Sequence, residues 1–120
     1  MKRNVWFLVP AMALGLVGQV MAQGPSGVIN AEPNPCRIRP GEKECTVHIT
    51  WDTQNIRHAK VVVKSESREG EKVREFSSSL SCHDHQCPAP WIRPETRYVF
   101  RLIDAEGREL SLVTVTAIKE

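Results

Sequence analysis

The chain has 120 residues, of which 41% are hydrophobic and 25% are charged, with a mean hydropathy of -0.31. This length is that of one domain, and this composition excludes a wholly disordered chain. The formal net charge of +2 comes from 16 basic and 14 acidic residues, and two of the basic residues are Lys2 and Arg3. Because the rest of the chain is neutral, we do not expect a nucleic acid or an anionic membrane surface as a partner.

The first 22 residues have the pattern of a secretory signal peptide. Two basic residues precede a mostly apolar stretch, and Val20-Met21-Ala22 supplies the small or apolar residues of a cleavage site. The apolar stretch is too short and too interrupted for a membrane anchor, so no membrane span is expected in the mature chain. We predict a signal peptide at residues 1–22 and one exported domain at residues 23–120, periplasmic or extracellular, in an oxidising compartment.

Short segments with β-type patterns follow one another through the mature chain. Alternating apolar and polar residues, or clusters of β-branched residues, predict strands at residues 27–31, 45–51, 59–64, 71–76, 97–104 and 110–118. Proline and glycine residues separate these segments, and none keeps a helical period over three turns. We therefore predict an all-β fold, a single β-sandwich of about seven strands.

The large aromatic residues suit the core of such a sandwich, because the inner faces of two sheets must fill a layer about 10 Å thick. Trp51 and Phe100 lie on the apolar faces of their predicted strands and are expected in this core. Trp91 lies close to Pro90 and Pro94. For Trp91, a place in the core and a role as an exposed contact both remain open.

Four short motifs occur in an order that is typical of one domain family. They are Asn-Pro-Cys at residues 34–36, Cys-Thr followed by a tryptophan at residues 45–51, Ala-Pro-Trp-Ile at residues 89–92 and Tyr-Val-Phe-Arg-Leu at residues 98–102. In this order they resemble a single immunoglobulin-like or fibronectin type III-like domain of bacterial secreted proteins. The resemblance implies that Trp51 is the core tryptophan, that Tyr98 is the corner tyrosine, and that the domain is an interaction or spacer module.

The four cysteines allow three disulfide connectivities. We favour Cys36–Cys45 and Cys82–Cys87, because each pair closes a short local loop. A closed loop of about ten residues stabilises the fold by roughly 2.5–3 kcal/mol in the chain-entropy model. The crossed connectivities remain open, although no feature of the sequence brings those segments together.

Residues 82–87 read Cys-His-Asp-His-Gln-Cys, and the family resemblance does not account for them. Cysteine and histidine are zinc and copper ligands, but structural zinc sites draw two ligand pairs from separated segments. With the cysteines oxidised, His83 and His85 remain available to Cu²⁺ or Zn²⁺, with Asp84 or His58 as a further ligand. No other cofactor is indicated.

A site of this kind requires the loops at residues 52–58 and 82–87 to lie at the same end of the sandwich. The other interpretation of residues 82–87 is a solvated polar loop. His48 alternates outward on its predicted strand, and we expect it to be exposed.

No catalytic pattern is present. The serines at residues 77–81 lack the Gly-x-Ser-x-Gly elbow, and no glycine-rich loop is available to hold a phosphate. The chain is therefore not expected to be an enzyme.

Three functions remain open. The first is a non-catalytic module that binds an unidentified protein or glycan. The second is a periplasmic copper or zinc protein that uses His83 and His85, and the third is a small exported inhibitor. For a binding module, the contacts are expected in the loops, and the candidate residues are Asn55, His58, Asp84, Trp91, Glu106 and Arg108.

Overall fold

The computed structural model describes residues 24–120, so the predicted signal peptide at residues 1–22 lies outside the described residues. The described chain is all-β. Its nine strands are β1 (Ser26–Glu32), β2 (Cys36–Ile38), β3 (Cys45–Gln54), β4 (Ala59–Ser67), β5 (Gly70–Ser77), β6 (Pro88–Ile92), β7 (Arg97–Asp104), β8 (Glu109–Val115) and β9 (Ala117–Lys119). Over residues 24–120, no helix is long and apolar enough to cross a membrane.

The six predicted strands are all present, and β3 and β4 run three residues beyond their predicted ends. The described part of the chain has nine strands instead of the predicted seven, because it contains short strands. Two of these, β2 and β6, lie in proline-containing segments, where backbone pairing rather than side-chain alternation defines the strand. The last predicted strand is divided in two, because β9 leaves β8 and pairs with β2.

The strands form three sheets. In the first, β1 and β6 flank β3, and both pairs are antiparallel. The second is antiparallel throughout, in the order β5-β4-β7-β8. The third is a small parallel pair of β2 and β9.

The first two sheets pack together through their inner faces. On β3, the side chains of Val47, Ile49 and Trp51 are at most 1% exposed, while the intervening residues point to the outer face. From the second sheet, Phe100 and Leu102 of β7 are fully buried in the same cluster. The expected core positions of Trp51 and Phe100 are therefore confirmed, and burial of their large apolar surfaces is a main source of stability.

Both disulfides favoured by local spacing are present. Cys36–Cys45 joins the start of β2 to the start of β3, and Cys82–Cys87 closes the segment that precedes β6. No cysteine of residues 24–120 is left free. Two disulfides in a chain of this size indicate an oxidising compartment outside the cytoplasm.

Tyr98, at the start of β7, ties this strand to the end of β6. Its hydroxyl accepts a hydrogen bond from the backbone N–H of Arg93 (3.0 Å) and donates one to the carbonyl of Trp91 (3.3 Å). The side chain is 5% exposed, so these bonds satisfy a hydroxyl that is largely removed from water. The corner between β6 and β7 is fixed by this side chain.

Candidate functional site

Residues 82–87 form a disulfide-closed bulge along the edge of the first sheet, and we call this segment the histidine bulge. Cys82 pairs with Trp51 of β3 through two backbone hydrogen bonds of 2.9 Å. At the other end, the N–H of Ile49 donates to the carbonyl of Cys87 (3.1 Å), and β6 begins directly afterwards. Four residues therefore loop out of a nearly continuous edge, and the disulfide holds the ends of the loop together.

The chain that leads into the histidine bulge is also fastened to β3. The indole N–H of Trp51 donates to the carbonyl of Ser79 (3.0 Å), and the hydroxyl of Thr53 donates to the carbonyl of Leu80 (2.8 Å). These bonds fix the path of the backbone between β5 and the bulge.

His83 of the bulge contacts a carboxylate of β3. Its Nε2 lies 2.8 Å from Oδ1 of Asp52, and both side chains are more than half exposed. Exposed ion pairs and hydrogen bonds of this kind contribute little to stability, typically below about 1 kcal/mol. The contact instead orients the imidazole of His83 on the strand.

His85 of the bulge stacks on His48 of β3. The two ring centroids are 4.2 Å apart and the planes differ by 26°. His48 points outward as predicted, but the expectation that it is exposed is wrong, because the bulge covers it and leaves it half-buried. Its Nδ1 is buried and has no hydrogen-bond partner among residues 24–120.

A polar groove of about 470 Å³ lies beside this stacked pair. Its lining residues are Asn30, Ala31, Glu32, His48, Thr50, Asp84 and His85. Glu32 of β1 is the cross-strand neighbour of His48, so a carboxylate and an imidazole share one wall. Carboxylate, amide, hydroxyl and imidazole groups together offer donors and acceptors to a polar ligand such as a sugar or a peptide.

The two predicted metal ligands, His83 and His85, contact different residues in the structure. His83 contacts Asp52, and His85 contacts His48. Over residues 24–120, no group of three or more His, Cys, Asp or Glu side chains is placed to hold a metal ion. His58, the further expected ligand, belongs to no such group in the described chain, and Asp52 of β3 is the residue that contacts His83.

The turn between β7 and β8 contains two of the predicted contact residues, Glu106 and Arg108. Both are exposed, but Arg108 is held by Asp104, which accepts hydrogen bonds from the backbone N–H (2.8 Å) and Nε (2.9 Å) of Arg108. The N–H of Glu106 donates to the same carboxylate (3.0 Å). Arg108 therefore stabilises the turn, which the sequence did not reveal.

Asp104 is 3% exposed, and burial raises the pKa of its carboxyl. The hydrogen bonds and charge of Arg108, with the hydrogen bond from Glu106, outweigh this effect. The pKa of Asp104 is therefore lowered from its ordinary value of 3.8.

Two further predicted contact residues lie near β3, and a third lies in the bulge. Asn55 has a left-handed backbone with φ of 60° and donates to the carbonyl of Gly24 (3.4 Å). His58 is exposed in the same connection. Asp84 is exposed at the tip of the bulge, with φ of 59°. All three remain accessible to a partner.

Trp91 does not lie in a loop, so its assignment to an interaction loop is wrong. It belongs to β6, is half-buried, and packs on Tyr98 and Phe100 with ring centroids 5.5 and 6.0 Å apart. The guanidinium of Arg74 lies 4.3 Å from its ring centroid. Trp91 therefore closes the side of the core, and Arg74 covers it.

Glu32 and His48 were not among the predicted site residues. His48 meets the bulge because Cys82 and Cys87 pair with Trp51 and Ile49 of β3, and the register of β1 with β3 sets Glu32 beside His48. Comparison of the chain with protein-family models, curated proteins and solved structures gave no match.

Proposed function

We propose that the protein is an exported, non-catalytic binding module with an immunoglobulin-like, fibronectin type III-like fold. Its groove beside the histidine bulge is proposed to bind a protein or a glycan. The bonds from Tyr98 to the backbone five and seven residues upstream support this family, because they have the form of a tyrosine corner. The burial of Trp51 between the sheets agrees with the family's core tryptophan.

One observation carries the proposed binding role, namely the attachment of the histidine bulge to β3. The disulfide, the backbone bonds at both ends and the two imidazole contacts hold the groove in one shape. A groove that is ordered before binding loses little conformational entropy when a ligand enters. A flexible loop tip would not need these attachments.

The test uses the oxidised protein, exported in a bacterial host and purified. It is presented to an array of glycans and to labelled envelope proteins, beside Glu32→Gln/His85→Ala and the control His58→Ala. We expect a ligand that binds the wild-type and the control equally and binds the groove variant at least tenfold more weakly. Equal binding by all three excludes the groove, and no ligand in either collection contradicts the binding role.

A second candidate is copper or zinc binding by the imidazoles of the bulge. The buried Nδ1 of His48, which lacks a partner in the described chain, favours a role for this residue beside His83 and His85. Calorimetry with Cu²⁺ and Zn²⁺ on oxidised protein tests it. Binding with one ion per chain that is lost in His48→Ala and in His83→Ala/His85→Ala supports it, and either no heat or heat unchanged by these substitutions contradicts it.

A further inference from the structure

The two main sheets have four edges, and an uncovered edge offers unpaired backbone N–H and C=O groups to another chain. Two of these edges, β1 and β8, cover each other. The N–H of Ile29 donates to the hydroxyl of Ser111 (3.2 Å), and a Cβ at Gly27 would lie 3.4 Å from the side chain of Leu110. Neither edge is open to an added strand.

The third edge, β6, can donate only some of the backbone hydrogen bonds that an added strand needs. It has five residues, and two of them, Pro88 and Pro90, have no backbone N–H. A strand that approached β6 would leave the carbonyls opposite Pro88 and Pro90 without partners.

The fourth edge, β5, is different. It has eight residues without proline, and it pairs with β4 on one side only. Every residue of 70–75 is exposed. Of the four edges, β5 is therefore the one that is long, uncovered and able to donate along its length.

The inner side of β5 carries two basic residues. Lys72 and Arg74 lie opposite Ser65 and Val63 of β4. Neither forms an ion pair with a carboxylate of residues 24–120. Beneath them lies a cavity of about 100 Å³, whose lining residues are Val63, Ser65, Lys72, Arg74, Trp91 and Tyr98. An acidic side chain from a neighbouring strand would meet two cations above an aromatic wall.

The outer side of β5 has the opposite character. Glu71 and Glu75 flank Val73, whose side chain is 65% exposed. The Nζ of Lys60 lies 3.7 Å from Oε1 of Glu75, and the side chain of Glu75 is still 53% exposed. A complementary strand would therefore place an apolar residue opposite Val73 and basic residues beside it.

A second copy of the chain is a poor occupant of this edge. Two-fold antiparallel pairing sets residues of the same face opposite each other. Centred on Val73, it brings Lys72 to Arg74 and Glu71 to Glu75 of the copy. Centred on residue 72, 74 or 75, it brings that charged residue to its own copy. Like charges directly opposite are destabilising.

We propose that β5 is a docking edge for an extended segment of a partner protein. The segment adds a strand beside β5, with acidic side chains opposite Lys72 and Arg74 and an apolar side chain opposite Val73. This surface belongs to the second sheet and shares no residue with the groove of the histidine bulge. Its test is therefore independent of the proposed groove ligand.

Two peptides of identical composition test the charge pattern. Thr-Lys-Glu-Val-Glu-Lys-Thr places its glutamates opposite Lys72 and Arg74 when its valine faces Val73, and Thr-Glu-Lys-Val-Lys-Glu-Thr exchanges these charges. Titrated into ¹⁵N-labelled oxidised protein, the first should cause saturable shifts of β5 amide resonances, with a Kd at least tenfold lower than the second. Equal affinities, or no shifts in β5 up to the solubility limit, overturn the proposal.

Charge reversal on the protein supplies the matched variant. In Lys72→Glu/Arg74→Glu, the preference between the two peptides should disappear, because Glu71 and Glu75 are unchanged and each peptide then forms two attractive and two repulsive charge pairs along the same backbone edge. The control Arg39→Glu/Arg57→Glu makes the same change of net charge at exposed residues outside β5 and should keep the wild-type preference. If the control loses its preference too, the effect comes from net charge, and the proposal is wrong.

N-methylation of the first peptide tests backbone pairing. One version is methylated on its two glutamates, and the other on its valine and two lysines. Because alternate N–H groups of a strand face opposite edges, one version should lose binding and the other should keep it. If both versions bind as the parent peptide does, no strand is added and the proposal is overturned.

Discussion

The two lateral sides of the sandwich are closed by different means. On the β1–β8 side the strands come close, since the N–H of Ile29 donates to the hydroxyl of Ser111 (3.2 Å) and a Cβ at Gly27 would lie 3.4 Å from Cδ1 of Leu110. On the β5–β6 side, aromatic rings fill the gap, and Phe76 packs on Phe100 and Trp91 with ring centroids 5.2 and 6.3 Å apart. A side closed by strands leaves no edge, whereas a side closed by side chains leaves β5 free.

If rings close the β5–β6 side, removal of Phe76 should cause the largest loss of stability. Its ring also contacts Trp51 at 6.2 Å, so Phe76→Ala leaves a cavity beside three aromatic side chains. We expect the free energy of unfolding to fall by about 3 kcal/mol in urea denaturation. Val73→Ala on the same strand is the control and should change it by less than about 0.5 kcal/mol. If Phe76→Ala and Val73→Ala lowered the free energy of unfolding equally, the ring of Phe76 would not close this side of the core.

If close approach closes the β1–β8 side, a side chain at position 27 should separate the strands. Gly27→Val meets the side chain of Leu102 and the backbone of Asp52, and overpacking of this kind costs about 2 kcal/mol. Gly24→Val is the matched control, because nothing lies within 4 Å of a Cβ there. Thermal unfolding followed by circular dichroism measures both. A Gly27→Val protein as stable as the control would contradict the close packing of this side.

The turn that leads from β7 into β8 gives a smaller, pH-dependent test of the closed side. Because the pKa of Asp104 is lowered in the folded protein, its carboxylate stabilises the fold above its ordinary pKa of 3.8. This contribution is lost as the pH falls below 3.8 through the folded-state pKa. Asp104→Asn should therefore be less stable than wild type at pH 7, and the difference should shrink as the pH falls below 3.8.

Glu106→Gln is the control for this measurement, because its side chain is exposed and its backbone N–H still donates to Asp104. Urea denaturation of the three proteins from pH 7 to pH 2.5 gives the comparison. A difference between Asp104→Asn and wild type that stays constant over this range would mean that the carboxylate is not the stabilising group.

The core and the disulfides show what sequence patterns predict well. The alternation of apolar and polar residues on β3 and β7 correctly predicted the buried faces that carry Trp51 and Phe100. This prediction needs no knowledge of neighbouring strands, because successive side chains of any strand point to opposite faces. Local spacing gave both disulfides. These features depend on residues that are close in sequence.

The groove and the open edge depend instead on pairing between distant segments. The stacking of His85 on His48 requires the bulge to lie along β3, and the neighbourhood of Glu32 requires the register of β1 with β3. No tight turn joins those strands, so no local rule fixes their register. For the same reason, the sequence placed Trp91 near a corner without revealing which side of the core it closes.

The charges of β5 allow a direct test of whether the β5–β6 side, unlike the β1–β8 side, leaves a strand edge free for pairing. In the double variant Glu71→Lys/Lys72→Glu, two-fold pairing centred on Val73 sets Glu at position 72 opposite Arg74 and Lys at position 71 opposite Glu75 of the copy. All four charge pairs are then attractive, while the stability of the monomer should change by less than about 0.5 kcal/mol. In sedimentation velocity, we expect the double variant to form dimers. The wild type should form no dimer that pairs β5 with β5.

The control for self-pairing is the single variant Lys72→Glu, which keeps Glu71 opposite Glu75 and should dimerise more weakly. Dimers of the double variant should dissociate as salt is raised from 0.05 to 0.5 M, because exposed ion pairs are screened. A double variant that stays monomeric at high concentration would mean that the backbone of β5 is not accessible for pairing. In that case both sides of the sandwich are closed, and the charges of β5 are only a solvated surface.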